Sequence, residues 1–303
     1  MNNLGTRERY HMNKCIRSIH HTILQRWNRS VVIGSAVVVM ALALACSRAP
    51  ENQVTTANND PDQLLRQMSE KLGQTKNLSF KVDRKLDAAL VEGLNVAENA
   101  QIEISVSRPG KFMAKSDSKD NVRPVFFDGQ NLSIYDETMK LYATAPVAGT
   151  IDAAVAKIDE KYGFTPPLAE FILSDPYAAL GKQIKSKSYK GKESIGGVEC
   201  HHLSLVGDVA DSELWIGAAD LLPRKLIATF KDREGSPKLQ ADFSNWNLTP
   251  TLDDKIFAFV APTDAEKIEM VTEAQMKEAV AKDSDVPESD APKKSATPIA
   301  NKK

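Results

Sequence analysis

The sequence predicts an α+β protein in which helices cover one face of an antiparallel sheet. Two periodicities support this fold class. Apolar and polar residues alternate over residues 76–90 and 101–110, which is typical of strands with one buried and one solvent-exposed face. Apolar residues also recur at helical spacing in blocks before and between the strands. The order helix, strands, helical insert, strands therefore predicts a sheet with a helical layer.

Three helices are predicted in the sequence. The first begins at Asp60-Pro61, where Asp can cap and Pro suits the first helical position, and it ends at Gly73. The second runs from Thr150 to Gly163. The third begins at Pro166-Pro167 and ends before Pro176, and its apolar face consists of Leu168, Phe171 and Ile172.

The apolar parity of two predicted strands marks the buried face of the sheet. It comprises Leu78, Phe80 and Val82 in the first strand and Ile102, Ile104 and Val106 in the second. Arg84 is the one charge on the apolar parity of the first strand. Further strands are predicted at residues 125–127, 132–135, 141–144, 198–205, 213–216, 225–230, 239–246 and 256–259.

Residues 1–45 have the features of a lipoprotein signal peptide. Residues 1–29 contain six basic residues and one acid, and residues 31–45 are an uncharged apolar run. At 1.5 Å per residue that run spans about 22 Å, short of the ~30 Å hydrocarbon core of a bilayer. It therefore matches the apolar part of a secretory signal better than a membrane-spanning helix. Translation from Met1 and from Met12 are both compatible with this leader.

Cys46 ends the apolar run and is the predicted site of lipid attachment. The stretch LALAC resembles the lipobox of bacterial lipoproteins, although Ala43 stands where that motif favours Leu. In such proteins the cysteine thiol receives diacylglycerol, the leader is cleaved before the cysteine, and the new amino group is acylated, for example with palmitate. The alternative is an uncleaved signal anchor that ends at a buried cysteine. Ser47 is compatible with sorting to the outer membrane.

The chain from Cys46 onward is predicted to contain a tether, one domain and a tail. Residues 46–60 are polar and without periodicity, as in a flexible tether; residues 61–265 form the domain, and residues 266–303 form a charged, partly disordered tail. Without the leader the net charge falls from −1 to −6. No arginine-rich patch indicates nucleic-acid binding. Lipidation of Cys46 leaves Cys200 without an intrachain partner, so no disulfide is expected.

Residues that commonly carry catalysis are sparse. His201 and His202 are the only histidines after the leader, and neighbours on a strand point to opposite faces. Cys200 and His202 share a face, a pair compatible with metal ligation or a thiolate nucleophile. The simpler interpretation is a buried cysteine beside a histidine at the core edge. Two ligands do not close a zinc site and no GxSxG or phosphate-binding loop occurs, so we expect no metal, no cofactor and no enzyme activity.

Four stretches carry a resemblance to a known family: FFDGQNLSIYDETMKLYATAP, GTIDAAVAKIDEKYGFTPPLAEFILSDPY, GVECHHLSL and DLLPRKLIATF. They resemble the bacterial family called domain of unknown function 2092, described as predicted periplasmic proteins, over roughly residues 61–270. That family is more distantly similar to periplasmic lipoprotein carriers and outer-membrane lipoprotein receptors. The resemblance implies a periplasmic location and a strongly curved, unclosed half-barrel with helices on its concave side. It implies no catalytic residue.

Two functions follow as hypotheses. In the first, an envelope lipoprotein attached to the outer membrane through acylated Cys46 binds a lipid or lipoprotein acyl chain. Its cavity would be lined by Leu78, Phe80, Val82, Ile102, Ile104, Val106, Leu168, Phe171 and Ile172. In the second, side chains fill this space and the domain is a protein-interaction or regulatory sensor module. The oligomeric state is not predicted.

Overall fold

The computed structural model describes residues 59–92, 96–163, 168–182, 184–270, 272 and 275. The predicted signal peptide, Cys46, nearly all of the tether and most of the tail lie outside these residues. Within the described part of the chain, no helix has both the length and the apolar character needed to cross a membrane.

One twelve-stranded sheet dominates the described residues. Its strands are β1 Asn77–Leu86, β2 Asn99–Ser107, β3 Lys111–Asp117, β4 Val122–Phe127, β5 Asn131–Asp136, β6 Leu141–Pro146, β7 Ile184–Ile195, β8 Val198–Gly207, β9 Ala210–Gly217, β10 Pro223–Phe230, β11 Lys238–Asn247 and β12 Glu266–Lys267. Their order is β12-β6-β5-β4-β3-β2-β1-β11-β10-β9-β8-β7. All neighbours are antiparallel except β12 and β6. The edge strands do not meet, so the predicted α+β class with an unclosed antiparallel sheet is confirmed.

Two helices begin at the residues that the sequence marks; the second also ends where predicted, whereas the first continues one residue past Gly73. Helix α1 spans Pro61–Gln74, and the Asp60 side chain accepts a hydrogen bond from a main-chain N–H of its first turn. Helix α2 spans Ile151–Tyr162, with Thr150 as its N-cap. It ends at Gly163, whose φ of 60° is left-handed and therefore suits glycine.

The third predicted helix, from Pro166-Pro167 to the residue before Pro176, is wrong. Residues 166–167 lie outside the described part, and Leu168 has a left-handed φ of 63°, which no α-helix accommodates. A single 3-10 turn follows at Ala169–Phe171. The α-helix of this region comes later, as α3 at Pro176–Gly181, because Asp175 caps it and Pro176 fits its first turn.

Strand assignment failed where burial is not one-sided. The edge strand β7 reads IKSKSYKGKESI and has no apolar alternation, so periodicity does not predict a strand there. Strand β3 is not predicted for the same reason.

The strand predicted at residues 256–259 is wrong. Asp254–Phe257 is a 3-10 turn with Asp253 as its cap.

One face of the sheet, here called the inner face, carries the core. Strand register sets Leu78 opposite Val106, Val106 opposite Phe112, Phe112 opposite Phe127, and Phe127 opposite Leu132. Opposed residues of neighbouring strands lie on the same face. Apolar residues of α1 and α2 belong to the same buried cluster, so the helices cover the inner face.

The outer face is contacted at β3, β4, β5 and β6 by residues 248–270, here called the C-terminal strap. Its 3-10 turn lies against β3, where Lys111 Nζ is 2.9 Å from Asp254 Oδ2. Further along, the Phe259 ring contacts the rings of Phe126, Tyr135 and Tyr142 at centroid distances of 5.1–5.8 Å. The strap ends in β12 and the buried Ile268, so the fold continues past the predicted domain boundary at residue 265.

Candidate functional site

The nine residues predicted to line a cavity lie together on the inner side of the sheet. All are at most 8% exposed and all belong to one apolar cluster: Leu78, Phe80, Val82, Ile102, Ile104, Val106, Leu168, Phe171 and Ile172. Six come from β1 and β2, which pair directly, and three come from the segment that follows α2. The structure therefore brings residues more than 60 positions apart into a single apolar layer.

Residues 168–174, here called the inner turn, lie over the centre of this layer. The Phe171 ring contacts the Phe243 ring with centroids 4.8 Å apart. Phe243 lies 6.2 Å from Phe80, and Phe80 stacks on Trp246 at 4.2 Å. Phe171 therefore occupies the space above β1 and β11 on the inner face.

Hydrogen bonds from two neighbouring elements hold the inner turn. Arg108, after β2, donates from Nη1 to the Ile172 main-chain oxygen at 2.5 Å. Asp152, in the first turn of α2, accepts from the Ser174 N–H at 3.1 Å and from its Oγ–H at 2.7 Å. A Cβ built on Gly73 would be 2.2 Å from the Ser174 carbonyl oxygen, so α1 approaches the turn closely only because residue 73 is glycine. Polar contacts at residues 172 and 174 thus add to the apolar packing of Phe171 in holding the turn.

A charged network joins α1 to α3 and the edge strand β7. Asp62 Oδ1 accepts from Lys187 Nζ at 2.5 Å and from Tyr177 Oη at 2.7 Å, while Oδ2 accepts from Arg66 Nε at 2.8 Å. The Arg66 guanidinium also lies 3.8 Å from the centroid of the Tyr177 ring. Hydrogen bonds from Lys187, then Tyr177 and Arg66, hold the pKa of Asp62 well below its ordinary value. This network fastens the helical layer to one edge of the sheet.

A cleft of about 340 Å³ opens beside this network. Its lining residues are Arg66, Ser69, Glu70, Gly73, Gln74, Ser174, Asp175 and Tyr177. Most of these side chains are polar and charges of both signs are present. The cleft therefore differs in chemistry from the apolar cavity that the sequence predicts, and none of the nine predicted lining residues belongs to it.

Cys200 and His202 share the outer face of β8, as their parity predicts, but they have separate surroundings. The Cys200 thiol is fully buried and donates to the Val198 carbonyl at 3.3 Å. Burial raises the pKa of this thiol, which disfavours the thiolate form. His201 points the other way, with Nδ1 3.2 Å from Tyr189 Oη. Cys200 thus has the features of the buried small hydrophobe in the simpler interpretation.

His202 takes part in a polar cluster on the outer face that the sequence did not predict. Its ring stacks on Trp215 at 4.3 Å, and its two ring nitrogens lie 2.9 Å from Glu193 Oε1 and 2.5 Å from Glu213 Oε2. The Trp215 N–H bonds Glu193 and is the main reason that the pKa of Glu193 is lowered. Within the described residues, no group of three or more His, Cys, Asp or Glu side chains could hold a metal ion.

The fold and its inner layer define an α+β domain with an open antiparallel sheet and a thin helical cover. The family model described as "Predicted periplasmic protein (DUF2092)" matches residues 61–271, which is most of the chain. This chain belongs to that family, so the resemblance carried by the four stretches is confirmed. No curated protein matches the sequence.

Several solved structures are similar to this chain at low identity. The lipoprotein LppX of Mycobacterium tuberculosis is 12% identical, with 64% of this chain and 100% of that chain covered and a TM-score of 0.37. A LolA superfamily protein from Nitrosomonas europaea is 12% identical, with 66% and 98% covered and a TM-score of 0.32. The MucA/MucB complex of Pseudomonas aeruginosa contains a chain that is 14% identical. The match covers 66% of this chain and 61% of that chain, with a TM-score of 0.38. These likenesses concern the fold, and no function follows from them.

Proposed function

We propose that this protein is a lipid-anchored envelope lipoprotein whose periplasmic domain binds a hydrophobic ligand, a lipid or a lipoprotein acyl chain. The ligand takes the place of the inner turn over the inner face of the sheet. The family description supports the periplasmic location. The proposed binding is non-enzymatic, because it needs only an apolar surface and a segment that can make way for the ligand.

One observation carries the proposal. The centre of a broad apolar face is covered by a 3-10 turn and not by a long helix, and this turn and the two residues that flank it contribute Phe171, Leu168 and Ile172. An acyl chain can replace the contacts of these three side chains at about 0.8 kcal/mol per buried CH₂ group. The polar bonds from Arg108 and Asp152 lie at the end of the turn, so the apolar contacts can be exchanged while its neighbours stay folded.

A fluorescent C16 fatty acid titrated into the full chain tests ligand binding. We expect saturable binding by the wild type and tighter binding by Phe171→Ala, since the removed ring no longer competes with the ligand. The matched control is Phe259→Ala, the same change in the C-terminal strap on the outer face, which should bind like the wild type. No binding by any of the three proteins, together with no lipid in native mass spectra of protein purified from membranes, contradicts the proposal.

The anchor at Cys46 is a separate part of the proposal. Supporting it are the basic leader, the short apolar run and the small residues before the cysteine. Labelling cells with radioactive palmitate should label the wild type and leave Cys46→Ser unlabelled. Fractionation should find the label in the outer membrane. A mature N-terminus whose mass includes residues 31–45 supports the uncleaved signal anchor instead.

The second candidate function is a protein-interaction or sensor module with a filled interior. The observation that favours it is the close packing of Phe171 on Phe243 and of Phe80 on Trp246. Each of the nine predicted lining residues is also at most 8% exposed. On this hypothesis the fatty-acid titration shows no binding, and cross-linking in cells returns a reproducible envelope protein. Saturable binding of the fatty acid counts against it.

A further inference from the structure

Arg108 lies at the boundary between the apolar layer and the inner turn. Its N–H bonds the Lys76 carbonyl at 2.8 Å, which continues the ladder between β1 and β2 by one residue. Arg108 therefore keeps the parity of Ile104 and Val106, whose side chains face inward. Its Nη1 donates to the Ile172 carbonyl at 2.5 Å, so the guanidinium lies under the inner turn.

The other edge of this guanidinium is unfilled in the described part of the chain. Nε and Nη2 of Arg108 are both buried, and neither has a hydrogen-bond partner among the described residues. These two N–H groups lie side by side and form the fork that binds two oxygens of one carboxylate or phosphate. Among the arginines in the described part of the chain, Arg108 alone has both atoms of this edge buried without a partner.

Arg108 is only partly buried, but two N–H groups of its guanidinium are shielded from water, and they call for an anion because unpaired charge away from water is costly. The acid whose charge acts on Arg108 is Asp152, whose carboxylate already accepts two hydrogen bonds from Ser174. Burial lowers the pKa of Arg108 and the charge of Asp152 acts in the opposite direction. Asp152 makes no hydrogen bond to the free edge, which remains available to a group from outside the chain.

We propose that the Nε–Nη2 edge of Arg108 binds the anionic head group of the hydrophobic ligand, a carboxylate or a phosphate carried on an acyl chain. This inference rests on the proposed function. The inner turn is bound to Nη1 of the same guanidinium, so on this proposal the head group reaches the Nε–Nη2 edge when the acyl chain displaces that turn. Arg108 then exchanges its bond to the Ile172 carbonyl for two charge-assisted bonds to the ligand.

Displacement of a neutral fluorescent probe, N-phenyl-1-naphthylamine, from the full chain tests this assignment. The competitors are hexadecanoic acid, hexadecyl phosphate and methyl hexadecanoate, which share one chain length and differ in the head group. For the wild type we expect the anionic competitors to displace half of the probe at a concentration at least about ten-fold lower than the ester requires. A ten-fold difference is what one hydrogen bond to a charged group contributes to affinity. Whether the acid or the phosphate acts at the lower concentration identifies the source of the head group.

The variants separate the head-group site from general binding. In Arg108→Gln the anionic competitors and the ester should act at concentrations within about two-fold of each other. Arg233→Gln should keep the wild-type preference for the anionic competitors. Arg233 is a suitable control because it too is partly buried with an unpartnered Nε, but it lies in the β10–β11 turn. Should Arg108→Gln fail to fold, Arg108→Lys keeps the charge without the fork and should lose most of the preference.

Three results overturn the inference. One is an Arg108→Gln protein that folds and keeps the preference. Another is a wild type that binds the ester and the anionic competitors equally, which removes the head-group site and leaves hydrophobic binding intact. The third is a wild type that binds neither the probe nor any competitor, in which case the proposed function fails as well.

Discussion

Phe171 lies against Phe243 with the ring centroids 4.8 Å apart and the ring planes at 57°. Phe171 belongs to the 3-10 turn that follows α2, whereas Phe243 belongs to β11, which pairs with β1 in the middle of the sheet. Both rings are almost fully buried. This contact therefore joins the helical cover to the centre of the sheet, and several expectations follow from the way the cover is held.

Truncation of the buried ring should destabilise the fold. For Phe171→Ala we expect a loss of roughly 3–5 kcal/mol in the free energy of unfolding, because a fully buried aromatic ring leaves a cavity. Urea denaturation followed by tryptophan fluorescence measures it. The control Val260→Ala, at a position 83% exposed, should change stability by less than about 0.5 kcal/mol. A loss below about 1 kcal/mol for Phe171→Ala would mean that the turn is not packed as described.

Two glycine substitutions should have opposite effects. Alanine within a helix is usually more stable than glycine by about 1 kcal/mol. Gly73→Ala in α1 should nevertheless destabilise, since its Cβ would be 2.2 Å from the Ser174 carbonyl. Gly181→Ala at the end of α3 meets nothing within 4 Å and should be neutral or slightly stabilising. Thermal unfolding of both variants is the measurement, and a stabilised Gly73→Ala protein contradicts the close approach of α1 to the inner turn.

Stability should depend on Asp62 at acid pH. The pKa of Asp62 is lowered in the folded state, so its carboxylate stabilises the fold above the pKa of the unfolded chain, about 4, and this contribution is lost as the pH falls below that value. The side chain is 38% exposed, so salt screens part of the effect. The difference between wild type and Asp62→Asn in urea midpoint should therefore be larger at pH 7 than at pH 2.5.

A matched control for this pH dependence is Glu234→Gln, which removes one exposed carboxylate in the β10–β11 turn. Its urea midpoint should follow the wild type at both pH values. An Asp62→Asn protein that differs from the wild type equally at pH 7 and pH 2.5 would show that the network acts through packing and not through charge.

The Cys200 thiol should be unreactive in the folded protein. It is fully buried and burial raises its pKa, so little thiolate is exposed to a reagent at pH 7.5. Iodoacetamide should modify Cys200 only after unfolding in guanidinium chloride, with the modified peptide identified by mass spectrometry. Rapid alkylation of the folded chain would favour the thiolate-nucleophile interpretation of Cys200 and His202.

Local signals in the sequence predicted the elements that are buried on one side. Asp60-Pro61 and Gly73 mark α1, Thr150 and Gly163 mark α2, and the alternation in β1 and β2 identifies the inner face. These predictions succeed because caps and periodicity depend on neighbouring residues alone. Strand β7 was missed because an edge strand with two polar faces has no alternation.

The candidate site was predicted in its apolar part and missed in its polar part. Apolar residues at every second position of a strand are enough to predict that residues such as Phe80 and Val106 are buried. Nothing local distinguishes Arg108 from other arginines after a strand; its place on the apolar parity of β2 was the one available signal. Two of the three partners of Asp62, Tyr177 and Lys187, are more than 100 residues away, so the sequence does not reveal the network.

The sequence by itself determined the fold class, the family, the inner face of the sheet and the expectation of a lipid anchor at Cys46. It did so because periodicity, caps and motifs are properties of short segments. Only the tertiary structure decided that a 3-10 turn, and not a helix, covers the centre of the apolar layer, and that the turn leaves one edge of Arg108 unfilled. Those features depend on contacts between segments far apart in the chain, whose geometry no short segment specifies.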